Sequence, residues 1–415
     1  MDRRGVMKAI GGAGLLAGFA APGLAADKDS GLVDLAKAAK PITREERLGR
    51  IERLQAQLRK SGIGAILIEA GSSLDYFTAI QWWRSERITA VLIPADGEPM
   101  VVTPFFEAPS ISEMLAIPAQ IRTWNEHENP MALVAGWLKE RKLSARPVAI
   151  EETTREFIRD GLQKQLPRTA IISGATQVRA VRMRKTAAEI ALMQVANTIT
   201  LNALRYAAKR TVVGMTPADI VAMVVAATRK QGGEADGGLV LLGEASAYPH
   251  GSRQRQEVRE GEVVLMDCGC QVNGYSSDIS RTFVLGEPSA EIRRVWSHVR
   301  KGQQIAHETA KIGTPCGAVD DAVRRYYESV GFGPGYKLPG LSHRTGHGIG
   351  MDGHEPVNLV HLEATPLDVG MCFSNEPGLY LPGKFGVRME DCFTMTADGP
   401  RLFTELSPSI DNPFG

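Results

Sequence analysis

Residues 263–285, VVLMDCGCQVNGYSSDISRTFVL, set two aspartates into what otherwise reads as an apolar β-hairpin. Asn273-Gly274 is the strongest short hairpin signal, because a two-residue type I′ turn needs positive φ at both central positions. In any even-length loop centred on that dipeptide, Asp267 lies opposite Ser280. Asp278, two residues from Ser280, shares the face of Asp267 and sits diagonal to it, roughly 7 Å away or less at Cβ. Two carboxylates that close, one embedded in Val-Val-Leu-Met, repel each other and lose hydration. A positive charge has to lie between them.

The same pattern returns downstream. Glu376 follows the apolar MCFSN and Glu390 follows GVRM, with Pro382-Gly383-Lys384 as the turn midway between them. A symmetric odd-length loop about Gly383 puts both glutamates on one face, with Arg388 beside them; a one-residue bulge would break that parity. Between the hairpins in sequence lies SHRTGHGIGMDGHE, residues 342–355, which holds three of the eight histidines. Each residue has a structural alternative. Asp278 suits a turn, His347 suits a hydrogen-bonded core, and Glu390 could pair with Arg388. Five such coincidences together point to metal. Four carboxylates and one neutral imidazole carry the charge that two divalent cations cancel, and a mostly oxygen donor set without thiolate suits Mn²⁺, Co²⁺, Fe²⁺ or Zn²⁺. Paired cations of this kind serve hydrolysis.

The remaining sequence narrows the class. With 48 basic and 47 acidic side chains, no global field attracts nucleic acid or an anionic membrane. The five cysteines are an odd count confined to the C-terminal part, which argues against a disulfide scaffold. Cys268 and Cys270 alternate out of phase with Asp267 and should face the packed side. Gly346, Gly348 and Gly350 lack the strand-to-helix context of a phosphate loop. Residues 1–26 combine a basic start with Arg3-Arg4, a short apolar middle and a small-residue end, the pattern of a twin-arginine-type export signal. The expectation is a periplasmic or secreted protein with no membrane span in the mature chain.

At 415 residues the chain suggests two to three domains. Helical patterns and short apolar runs alternate from Arg47 to about residue 180, with a hairpin across Asp96-Gly97, predicting a compact α/β domain over 27–180. The charged stretch Arg179 to Met193 reads as a boundary with solvated helix faces. Long helical patterns and hairpin signals then fill 181–415. Trp82 and Trp83 suit a core or a substrate entrance. His127, His298, His307 and His361 lack motif context and read as structural.

YPHG (248–251), MDCGCQVNGYSSDISRTF (266–283), HRTGHGIGMDGHE (343–355), SNEPGLY (374–380) and GVRMED (386–391), in this order, resemble the pita-bread metallopeptidases, specifically the branch of prolidase and aminopeptidase P. The resemblance implies an α/β (α+β) protein with an N-terminal creatinase-like α/β domain and a C-terminal pita-bread catalytic domain. It implies Asp267, Asp278, His347, Glu376 and Glu390 as ligands of two divalent metal ions, Mn²⁺ first among the candidates, with Asp278 and Glu390 bridging. Glu376 would handle the proton of the attacking water, His354 would hydrogen-bond the oxyanion, and His250 and His343 would line the proline pocket. Arg388 would hold Glu390 or the substrate carboxylate, and the glycines would let the loop lie against the metals. Cys268 and Asn375 stand where bulkier apolar residues are common in the family. The implied activity is cleavage before proline in short peptides by a homodimer, as an Xaa-Pro dipeptidase. Aminopeptidase P is the close alternative; a creatinase-like metal-independent hydrolase and a non-catalytic binding protein on the same scaffold are the more distant ones.

Overall fold

The computed structural model describes residues 31–235 and 237–415; the expected export signal over 1–26 lies outside them. The first apolar runs become a six-stranded mixed sheet, in the order Gln120–Trp124, Met100–Pro104, Ala90–Pro94, Ala65–Glu69, Val148–Ile150, Ile171–Ser173. Its three central strands are buried at every residue, so they read as continuous apolar segments rather than alternating ones. The Asp96-Gly97 hairpin pairs Ala90 with Val102 and Leu92 with Met100. Helices flank this sheet, among them Arg44–Lys60, capped at Thr43, and Pro130–Glu140, capped at Asn129 with proline at its first position.

The second half begins at the helix Ala187–Ala208, where Thr186 and Glu189 form a reciprocal capping box. It packs on the helix Pro217–Lys230, and a second pair, Ala290–Thr309 and Cys316–Ser329, lies further along the chain. Antiparallel sheets pack against these helices. One takes the order Ile279–Val284, Val263–Cys268, Leu239–Leu242, and another Glu355–Leu359, Gly346–Gly348, Cys372–Asn375, Asp391–Thr396, Gly399–Leu402. No helix among the described residues is long and apolar enough to cross a membrane.

The halves share a core. One buried cluster runs from Leu54, Ile66 and Phe77 to Cys270, Ile349 and Cys392. A fully buried polar link crosses the same boundary: Arg50 donates to the Tyr275 hydroxyl at 2.8 Å, and Tyr275 donates to Glu189 at 2.8 Å. The stretch Arg179 to Met193, expected to be solvated, departs from that expectation. Arg182 donates to Glu355 at 2.6 Å and to Asp352 at 2.9 Å, and buried Lys185 reaches Glu355 at 2.9 Å. These charges turn inward because a carboxylate from a segment 170 residues away meets them there. Trp82 packs partly on the core and stacks on Trp83, which is exposed; both border a cavity beside Asn273-Gly274.

Candidate metal centre

Asn273 and Gly274 take φ of 47° and 79°, the two positive values that the turn demands. The pairing that follows brings Asp267 opposite Ser280 and Val272 opposite Tyr275. Asp278 lies in the gap between the strands Tyr275–Ser276 and Ile279–Val284, where the ladder is interrupted. The second hairpin is built alike. Gly378 pairs with Arg388 and Asn375 with Asp391, so Glu376 and Glu390 sit in matching positions between two ladders, with no bulge to break the parity. Arg281 and Asp391, both fully buried, pair at 2.7 Å, and Arg281 also donates to the Glu390 carbonyl at 2.9 Å. That peg joins one hairpin to the other.

The histidine stretch is held by the helix Cys316–Ser329. Asp320 accepts from the Thr345 backbone at 3.0 Å and hydroxyl at 2.7 Å, while Arg324 donates to Asp320 and to the carbonyls of Leu341 and His343. Three glycines of this stretch sit where no side chain would fit. A Cβ on Gly346 would lie 2.1 Å from the Ser374 carbonyl oxygen, on Gly348 2.5 Å from that of Glu355, and on Gly350 2.7 Å from Lys185. They permit backbone to pack on backbone and on the buried Lys185–Glu355 pair.

Asp267, Asp278, His347, Glu376, Glu390, His250, His343, His354 and Arg388 all line one cavity of about 380 Å³, which Arg344 and Val360 complete. Ligand-type atoms of Asp267, Asp278 and Glu390 lie within 4.8 Å of one another, as do those of His347, Glu376 and Glu390, and those of Asp278, His347 and His354. His347 donates through Nδ1 to the Gly348 carbonyl at 3.0 Å. Its Nε2 therefore presents a lone pair, 3.4 Å from Glu376, 3.7 Å from Asp278 and 3.9 Å from Glu390. Burial, reinforced by His354, pushes this imidazole down to about 3, so it stays neutral.

The carboxylates hold more negative charge than the surrounding donors satisfy. Burial pushes Glu376 up to about 7, with Arg388 opposing and Asp267 adding to it. Burial, then Asp278 and Glu376, pushes Glu390 well above the carboxylate range. Burial acts on Asp267 too, but Arg388 and Ser280 outweigh it and hold that carboxyl low. Ser280 has one hydroxyl proton and two carboxylate oxygens in reach, Asp267 at 2.8 Å and Glu390 at 2.9 Å. The buried Oε1 of Glu390 has no hydrogen-bond partner. Orphaned and shared acceptors around a neutral imidazole lone pair are what a pair of divalent cations would satisfy, so the residues fit such a group.

Arg388 pairs with Asp267 rather than Glu390. It also donates to Ser280, Tyr380 and the Pro249 carbonyl, each at 3.1 Å. Tyr380 in turn donates to Nε2 of His343 at 2.8 Å, and His343 donates through Nδ1 to the Arg344 carbonyl at 2.7 Å. Both ring nitrogens of His343 are thus engaged, and burial with Arg388 nearby pushes it down to about 3. His250 and His354 are exposed on the cavity rim. His354 stacks on His347 with ring centroids 3.8 Å apart and accepts at Nδ1 from Arg344 at 2.7 Å, which leaves the proton on Nε2. Outside this cavity, His298 meets Tyr326 and His361 meets Asp321.

Sequence reasoning did not single out Arg344, Tyr380 or Ser280. Tyr380 lies an even number of residues from Glu376 in one hairpin, and Ser280 was found only as the residue opposite Asp267. Arg344 had no signal beyond its place beside His343.

Comparison with known proteins adds to this geometry. Residues 50–184 match the Creatinase/Prolidase N-terminal domain, and residues 191–397 match Metallopeptidase family M24. The chain is 31% identical over 372 residues to the Xaa-Pro dipeptidase of Lactobacillus helveticus, covering 87% of this chain and 98% of that protein. It is similar to the crystal structure of dipeptidase PepE from Mycobacterium ulcerans, with a TM-score of 0.80 and 27% identity over 88% of this chain and 97% of that one. The X-Pro aminopeptidase of Thermotoga maritima gives a TM-score of 0.75 at 26% identity, covering 87% and 98%.

Proposed function

We propose, from the premise that this chain belongs to metallopeptidase family M24, that it is a dinuclear-metal hydrolase cleaving the bond before proline in short peptides, as an Xaa-Pro dipeptidase. The observation that carries the reading is the meeting of Asp267, Asp278, His347, Glu376 and Glu390 in one cavity, where a buried glutamate oxygen lacks a partner. Those five residues would hold the metal pair. Two such cations, Mn²⁺ the first candidate, supply Lewis acidity toward the scissile carbonyl and make water acidic enough to attack at neutral pH.

The chain's own groups do the rest. Glu376 takes the proton of the attacking water and passes it toward the leaving nitrogen. The Nε2–H of His354 donates to the carbonyl oxygen as negative charge builds there. His343, fixed by Tyr380 and the Arg344 carbonyl, forms a rigid wall of the proline pocket with His250 at its rim. Proline lacks an amide N–H, so the bond has to be gripped through shape and the carbonyl rather than through a nitrogen donor.

Turnover of an Xaa-Pro dipeptide and an Xaa-Pro-Xaa tripeptide by Mn²⁺-loaded enzyme tests this reading. Preference for the dipeptide is expected; strong preference for the tripeptide would assign the aminopeptidase activity instead, and full activity after exhaustive chelation would end the metal reading. Export by a twin-arginine-type signal is part of the proposal, supported by Arg3-Arg4 and the apolar run after them. Periplasmic fractionation and N-terminal sequencing of the mature protein test it. A homodimer is supported by the family resemblance and by exposed Trp83, Phe105 and Phe106, and sedimentation analysis tests it.

A further inference from the structure

Asn375 and Asp391 stand opposite each other in the ladder, and each adjoins a glutamate of the cavity: Asn375 precedes Glu376, and Asp391 follows Glu390. Side chains alternate along a strand, so this pair points away from the cavity. On that far side lies the helix Ala290–Thr309, whose fully buried Gln303 meets both residues. The Gln303 amide donates to the Asp391 carboxylate at 2.8 Å and to the Asn375 carbonyl at 3.4 Å, and the Asn375 amide donates back to the Gln303 carbonyl at 2.8 Å. Arg281 and Thr404 donate to the other Asp391 oxygen at 2.7 and 2.6 Å.

This clasp is costly. A carboxylate and a carbonyl only accept, so each amide has to turn its NH2 toward them and its oxygen elsewhere. Among the described residues neither oxygen finds a donor: Oε1 of Gln303 and Oδ1 of Asn375 are buried without a hydrogen-bond partner. Leucine at 375 and methionine at 303 have similar shapes and orphan no acceptor, so an apolar pair there would be the more stable choice. Stability does not account for the clasp, but position does. The ladder between the two ligand strands stops at Asn375–Asp391 and resumes at Gly378–Arg388, so no cross-strand pair holds Glu376 against Glu390. Their backbone N–H groups go to other segments, to the carbonyls of Thr345 at 2.8 Å and Ser280 at 3.1 Å. The clasp pins the last ladder pair before that gap to a long helix.

We infer that Gln303 and Asn375 are positioning residues for the metal pair: acting as one unit behind the sheet, they set the separation of Glu376 and Glu390. The inference rests on the proposed dinuclear centre and adds two residues that touch neither metal nor substrate. With the clasp open the two strands can shift, and the carboxylates lose the spacing that the cations require.

The test compares wild type with Asn375→Leu, Gln303→Met and the double variant. Three quantities are measured: the urea midpoint of metal-free protein, the affinity for Mn²⁺ by calorimetry, and kcat and KM for an Xaa-Pro dipeptide at saturating Mn²⁺. The double variant removes both orphaned oxygens, so its midpoint should match or exceed that of the wild type, while its Mn²⁺ affinity falls on the order of 10- to 100-fold. At saturating metal kcat should fall and KM should hold, because the cavity walls are unchanged. Each single variant should weaken Mn²⁺ binding nearly as much as the double, since losing either residue opens the clasp. Wild-type affinity in the folded variants would overturn the inference, as would an affinity loss that simply follows the urea midpoint from one variant to the next. If the double variant does not fold, the single variants decide by these same readouts. A wild type that takes up no Mn²⁺ would overturn the metal reading and this inference together; a loaded wild type without Xaa-Pro turnover would overturn the substrate reading and not the clasp, which the affinities decide.

Discussion

Glu376 and Glu390 carry opposite instructions: their surroundings favour protons, and the proposed function requires them bare. Glu376 stands at about 7 because burial disfavours its charge, and Glu390 is pushed up further by burial and two neighbouring carboxylates. A proton occupying these groups has to leave when a cation arrives. Titrating Mn²⁺ into metal-free protein should therefore release protons, more at pH 6 than at pH 8, with affinity rising as pH rises. Calorimetry in two buffers of different ionisation enthalpy measures this; proton-neutral binding at pH 6 would contradict it. His354 has a different assignment. Its Nδ1 is occupied by Arg344, so only Nε2–H faces outward as a donor. His354→Ala should lower kcat on the order of 10²- to 10³-fold with metal content unchanged. A loss of metal in that variant, read by elemental analysis, would reassign the ring as a ligand.

At the scale of the element, two hairpins do the positioning, and each depends on its turn. The ladder holds Asp267 opposite Ser280 and, in the second hairpin, Asn375 opposite Asp391; a slip of one residue would send the acids to the wrong face. Gly274 has φ of 79°, and a Cβ there would meet Met351 at 3.3 Å. Gly274→Val should cost about 1–2 kcal/mol through left-handed strain alone, and urea denaturation would show it. Activity should fall as well, although Gly274 does not line the cavity, because the turn sets the register of both aspartates. Unchanged stability would mean that the flanking strands, not the turn, specify the pairing.

On the scale of the whole molecule, buried charge joins the halves. Glu355, from the segment after the histidine stretch, accepts from Lys185 and Arg182 and is buried. Burial would raise its carboxyl, but those two cations dominate and hold it down to about 2. A folded value below the unfolded one stabilises the protein above the ordinary carboxylate range, and the contribution disappears as pH falls through the folded value. The window here is from about pH 4.5 down to about 2, and the shift corresponds to roughly 3 kcal/mol. Glu355→Gln should be destabilised at pH 7 and should lose less stability on acidification than the wild type; parallel urea midpoints for the two proteins at pH 7, 4 and 3 would refute this link.

What the sequence determined by itself was register and spacing. The side-chain period of two and the φ demands of Asn273-Gly274 are backbone properties that act within about twenty residues, so the faces of both hairpins could be read before any coordinates. The glycines' partners, the inward turn of Arg182 and Lys185 and the pairing of Arg388 with Asp267 could not. Each depends on which charge or carbonyl arrives from a segment many tens of residues away, and no local period encodes that arrival. Only the tertiary structure decided which buried charges met a partner of opposite sign.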